Sequence, residues 1–142
     1  MTIALFAASR PTGTPLSVTD YQAGACNIGP AEIARRRRVG HAGTVVAIGT
    51  ALAFIAIGAP PPVRLLVALP AAMAAAGYLQ AWLRFCAAFG SRGVANFGQI
   101  GEVAHIEDPV DLARDRRRAW GVIAASTAIG AVAGVLVAAL PI

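Results

Sequence analysis

The sequence predicts an all-α integral membrane protein with three transmembrane helices. Three observations carry that expectation. The chain has 142 residues, of which 57% are hydrophobic and only 13% charged, with a mean hydropathy of +0.65. A soluble domain carries about 25% charged residues, so this chain has too little polar surface to coat a water-soluble globule. The apolar residues also fall in blocks, three of which are long enough to span a bilayer at about 20 residues and 1.5 Å rise each. Finally, arginines cluster at the block edges, and residues 42–59 carry no charge at all. A chain of this length allows one domain.

The elements follow in order. Residues 1–25 contain Ser, Thr, Pro and Gly without periodicity and are expected to form a disordered cytoplasmic tail. The opening MTIALFAASR has an apolar run shorter than a signal-peptide core and no basic residue before it, so no signal peptide is expected. Residues 26–142 form the three-helix transmembrane domain. NIGPAEIARRRR reads as a helix start: Gly29 permits a turn, Pro30 suits the first helical position, and Glu32 favours the positive helix N-terminus. That helix is expected to lie on the membrane surface or run straight into the first span, about 39–59, which Pro60, Pro61 and Pro62 should end because proline lacks the N–H of a continuing helix. The second span is expected at about 63–83, between Arg64 and Arg84. Pro70 should kink it. The short link makes spans one and two a tight antiparallel hairpin.

Residues 86–118 are expected to form a cytoplasmic loop with short amphipathic helices. Near its end, Asp108 is a good N-cap, Pro109 fits the first helical position and Asp111 sits at N3. A helix should start there and run into the third span, about 119–140. Asp111 with Arg114 and Asp115 with Arg118 are spaced as i,i+3 surface pairs, worth tenths of a kcal/mol.

Arginine placement sets the direction. All twelve basic residues are arginines; eleven precede span one or lie between spans two and three, and only Arg64 lies in the other loop. The N-terminus and the long loop are therefore expected in the cytoplasm and the C-terminus outside. Arg35, Arg36, Arg37 and Arg38, with Arg114, Arg116, Arg117 and Arg118, mark the inner face and contact anionic headgroups at about 1 kcal/mol each. Trp82 and Trp120 fall at the same boundary, where indoles favour the headgroup layer. The arginine-only, Ala- and Gly-rich composition suggests a GC-rich bacterial genome, hence a bacterial inner membrane. Nucleic-acid binding is not expected, since no aromatics interleave the arginines and no soluble domain carries a recognition helix.

Small residues offer helix-packing surfaces. Gly130 and Gly134 form a GxxxG motif, Ala71, Ala72, Ala75 and Ala76 give span two a smooth face, and Gly43, Ala47 and Ala51 do the same for span one. These faces can serve packing within the chain or contact with another subunit. Cys26 and Cys86 both fall near the reducing side and are expected as free thiols. They are either small fillers near a helix end or, if Arg84 or the Arg35 to Arg38 run is close, sites of thiol or persulfide chemistry. Glu102 and His105 match an E-x-x-H spacing, but di-iron bundles need a second copy on facing helices, and no metal site is expected. His41 reads as a polar interface residue. The spans carry no acidic or basic side chain away from their boundaries, which argues against a pump. No nucleophile–base pair or phosphate loop is present, so no catalytic residue and no cofactor is assigned.

Two stretches carry a family resemblance. CNIGPAEIARRRRVG, with Asn27, Gly29, Glu32, Arg36 and Gly40, and FCAAFGSRGV, with Cys86, Phe89 and Gly93, resemble the small YgaP-like inner-membrane domain. The resemblance spans roughly residues 27–96, with Ala87 where that family has proline. It implies a membrane-helix hairpin that tends to oligomerise. Some relatives also carry a sulfurtransferase domain, for which this chain has no room. Three functions are then in play. The leading one is a non-catalytic accessory or scaffold subunit of a larger membrane complex, for example an electron-transfer assembly. The others are a homo-oligomeric channel or carrier for a small sulfur-containing or other solute, and a thiol-based redox protein. The partners expected are membrane lipids and either other subunits or further copies of the chain.

Overall fold

The computed structural model describes residues 20–141. It is mostly helical, and three of its helical stretches are long and apolar enough to cross a membrane: Pro30–Ala56, Pro61–Trp82 and Pro109–Ala138. The disordered-tail expectation for residues 1–19 lies outside the described residues. Residues 20–25 belong to the fold and are held against the third span.

Helix α1 (Pro30–Ala56) runs without a break from the arginine cluster through the first span. Gly29 is its N-cap, Pro30 its first residue, and Glu32 the acid of its first turn. Its C-terminus departs from expectation. The helix stops at Ala56, and Gly58 takes a left-handed φ of +62°. The Gly58 N–H bonds to Ile55 O at 3.1 Å and the Ala59 N–H to Phe54 O at 2.9 Å. This is a Schellman ending, which satisfies two last-turn carbonyls that would otherwise lack a partner. The proline run begins the next helix and does not end this one: Pro60 caps α2 (Pro61–Arg64).

The second apolar stretch is helical throughout but not uniformly α-helical. A 3-10 turn, Leu65–Val67, joins α2 to α3 (Ala68–Trp82). Pro70 is the third residue of α3 and lacks the N–H that would bond back to the preceding 3-10 turn. The tighter 3-10 turn lies just ahead of Pro70 and includes Leu66, the residue whose carbonyl proline leaves without a donor. Helix α3 ends through Arg84, whose φ of +53° is left-handed although it is not glycine; such a residue costs about 1–2 kcal/mol.

The loop of residues 86–118 is folded. It holds α4 (Ala87–Arg92), which stops at Gly93 with φ +70°. Two short antiparallel strands follow, β1 (Val94–Ala95) and β2 (Ala104–His105), with Val94 opposite His105. This pair is an exception to the all-α expectation. It forms because the segment after β1 also ties to residues 27–29: Gly29 N–H donates to Asn96 O (2.7 Å) and Asn96 N–H to Asn27 O (2.9 Å). Helix α5 (Pro109–Ala138) begins where expected, with the Asp108 carboxylate accepting from the N–H groups of Val110 and Asp111.

Helix α3 lies between the other two long helices. It packs on α1 along one side and on α5 along the other, and α1 and α5 share no substantial contact. Both seams are built from small residues. A methyl group on Gly43 would stand 2.6 Å from the Ala74 backbone, and one on Gly77 would collide with the backbone of Gly40. On the other seam, a methyl on Gly130 would meet Ala68 O and Ala72, and one on Gly134 would meet Ala68 Cβ and Leu65 O. The GxxxG motif is therefore used within the chain, against α3. Ala75 is buried and Ala71 half-buried on α3. A compact apolar cluster of Phe85, Ala87, Ala119 and Val122 closes the arginine-rich end, where α3, α4 and α5 meet.

At the proline end, Arg64 is not a loop residue in solvent. Only 2% of it is exposed. Its Nε donates to Ala59 O at 2.6 Å and its Nη1 to Leu140 O at 2.9 Å. The guanidinium thus ties the α1–α2 link to the end of α5, supplying donors to carbonyls beyond the helix ends.

Candidate functional site

The arginine-rich end holds a buried polar cluster. Glu32 and Arg36 are one turn apart on α1 and point the same way. Glu32 is 1% exposed; its carboxylate lies 3.6 Å from Arg36 Nη2 and 3.6 Å from Arg35 Nη1. Arg36 reaches further: Nη2 stands 3.0 Å from Cys86 Sγ, and its guanidinium carbon lies 5.9 Å from the centre of the Phe89 ring. Cys86 has no exposed surface. Its backbone is gripped by Asn27, whose Oδ1 accepts the Cys86 N–H (2.7 Å) while Nδ2 donates to Cys86 O (3.1 Å). Glu32 Oε2 and Arg36 Nε have no hydrogen-bond partner among the described residues.

This arrangement joins three pieces of chain that are far apart in sequence: the strand-like entry at residues 27–29, the first turns of α1, and the 84–87 turn. The guanidinium bridges a carboxylate and a sulfur with its planar fork of donors. Sealed from solvent, the thiol is in no position to meet a soluble reactant, so the geometry serves as a tie. Cys26, by contrast, is partly exposed, and its sulfur lies 3.8 Å from Ile28 O. Both cysteines are free.

The other candidate residues scatter. Arg35, Arg37 and Arg38 are exposed around α1, and Arg114, Arg116, Arg117 and Arg118 are exposed around the start of α5. Arg114 pairs with Asp111 at 3.6 Å, as the spacing suggests. Trp82 and Trp120 are both strongly exposed at this same end. Glu102 accepts from the Gln99 N–H, and His105 sits in β2. Among the described residues, no group of three or more His, Cys, Asp or Glu could hold a metal ion. His41 Nδ1 is 2.7 Å from Tyr78 Oη, with the rings edge to face.

Asp115 corrects a sequence expectation. Rather than pairing with Arg118 on a wet face, it has no exposed surface. One carboxylate oxygen accepts the Gly24 N–H (2.6 Å) and the other the Tyr21 hydroxyl (3.0 Å). This clasp holds residues 21–24 on α5. Partial burial, and then the hydrogen bond to the Asp115 carboxylate, push the Tyr21 phenol well above its ordinary value of 10.0. The folded chain thus binds the Tyr21 proton more tightly than the unfolded one. The clasp is fully held below pH 10 and should weaken as the pH rises above it. A spectrophotometric titration should show wild-type phenol absorbance rising later than that of Asp115→Asn, and a Tyr21→Phe variant should lose the late component.

Sequence reasoning missed the buried roles of Asp115 and Arg64, and singled out Asn27 only through the family resemblance. For Asp115 a signal existed: Asp115, Ala119, Val122, Ser126, Gly130 and Gly134 are all buried on one face of α5. Their helical spacing puts the acid in phase with the GxxxG motif. Arg64 gave no comparable sign, because one of its partners, Leu140 O, lies 76 positions away. In comparison with family models, curated proteins and solved structures, this chain gives no significant match.

Proposed function

We propose that this chain is a non-catalytic, multi-pass subunit of a larger bacterial inner-membrane assembly, with its arginine-rich end in the cytoplasm. One observation carries the reading: among the described residues α1 packs chiefly on α3, with slight contact to α2 and the 3-10 turn, and leaves much of its apolar face bare. Val45, Val46, Ile48 and Leu52 are each more than half exposed, and Gly49 has open space around it. A small residue on a bare apolar helix lets another helix approach closely. The sealed Cys86 favours a scaffold over thiol chemistry. The residues that carry the YgaP-like resemblance add support, since Asn27, Glu32, Arg36, Cys86 and Phe89 converge in one cluster.

Affinity purification from native membranes in mild detergent, followed by mass spectrometry, tests this reading. Stoichiometric membrane partners are expected, and Gly49→Leu should reduce their recovery about tenfold if the lost close packing is worth about 1.4 kcal/mol. Wild-type chain recovered alone as a homo-oligomer would overturn the accessory role and favour a channel or carrier.

A further inference from the structure

A second feature of the arginine-rich end is a cleft of about 970 Å³ between the first turns of α1 and the last turn of α3. It is distinct from the buried cluster: Glu32, Arg36 and Cys86 do not line it. One wall is the α1 stripe that contains Ile33 and Arg37, and the other is Trp82, Leu83 and Arg84. Ile28 lies at its base, and Asp20 is the one carboxylate on its surface. Neither the Arg37 nor the Arg84 side chain has an ion-pair partner among the described residues, whereas Arg35, Arg36 and Arg114 do. Arg84 reaches this wall through the left-handed turn that ends α3.

We propose that this cleft binds one anionic phospholipid, its phosphate held by Arg37 and Arg84 and its glycerol and upper acyl carbons laid against Ile33, Trp82 and Leu83. The chemistry of the lining selects this occupant. Two unpaired guanidiniums facing one carboxylate leave a net positive site, and guanidinium forks match phosphate oxygens bidentately. The apolar wall adjoins them at the level of Trp82, which is 80% exposed and belongs to the headgroup layer. A free phosphate would leave that wall bare, and a zwitterionic lipid would bring an ammonium against the arginines. The proposal rests on membrane insertion but not on any partner subunit.

The chain has two tryptophans, so Trp120→Phe leaves Trp82 as the only indole. The full-length Trp120→Phe protein is reconstituted into phosphatidylcholine vesicles. These contain a small equal fraction of either brominated phosphatidylglycerol or brominated phosphatidylcholine. Trp82 fluorescence should be quenched preferentially by the phosphatidylglycerol. Arg37→Gln and Arg84→Gln, both at exposed side chains, should each lower that preference about fivefold. Arg92→Gln, on the surface of α4 and outside the cleft, should leave it unchanged. Equal quenching by the two lipids, or an Arg92→Gln loss as large as that of Arg37→Gln, would overturn the site. Quenching by neither lipid would overturn the membrane reading beneath it.

Discussion

Gly77→Leu should separate α1 from α3 and lower the stability of the folded chain by about 3 kcal/mol or more, at the upper end of overpacking effects. A Cβ at this position would collide with the Gly40 backbone and lie 2.8 Å from Arg36 O, so there is no flexible side chain to move aside. Two backbones touch here because both helices have glycine at the crossing. For helices in a bilayer such closeness is what would hold them, since burying an apolar surface against another gains little over leaving it in acyl chains. Detergent-denaturant unfolding followed by circular dichroism would measure the loss. The same substitution at Gly121, where nothing stands near the added carbon, should not lower stability, since no neighbour is displaced and leucine favours a helix over glycine by up to about 0.8 kcal/mol. A Gly77→Leu protein as stable as wild type would mean that the α1–α3 seam does not organise the fold. The consequence should extend beyond the seam, because Gly40 lies one turn from Arg36. Moving α1 outward would also pull the guanidinium from Cys86.

Arg36→Met should cost about 3–5 kcal/mol, the range for a buried ion pair broken from one side. It strands the Glu32 carboxylate, which is 1% exposed and would keep only its 3.6 Å contact to the half-exposed Arg35. Glu32→Gln combined with Arg36→Met should recover most of the loss, because neither partner is then left charged and buried. The double-mutant cycle, read by the same unfolding measurement, isolates the coupling. If the double variant is as unstable as Arg36→Met alone, the stabilising role belongs to the Arg36–Cys86 and Arg36–Phe89 contacts and not to the ion pair. Cys86→Ala then becomes the informative third variant, since it removes the sulfur acceptor and leaves Glu32–Arg36 in place.

Most of the helical framework was legible in the sequence, because its signals are local. Block length and hydropathy mark three segments able to cross a membrane, and Pro30 and the Asp108–Pro109 pair mark two helix starts within one residue. Each of these depends only on backbone chemistry within a turn of the residue concerned. Even the buried acids left a trace: Glu32, Arg36, Gly40 and Gly43 share one face of α1, as Asp115 and Gly130 share one face of α5. Tertiary contacts decided the remainder. Arg64, at the edge of an apolar block, reads as a solvated turn residue until the end of α5 supplies Leu140 O beside it. Cys86 and Arg36 are 50 positions apart, and no spacing rule joins residues that far separated. The prolines at 60–62 are equally able to stop one helix or start the next; the Schellman turn at Gly58 settles which. The sequence by itself determined which stretches are helical and apolar. Which charges go inside, and which small faces are already taken, depends on the placement of segments distant in the chain, and only the packed structure supplies it.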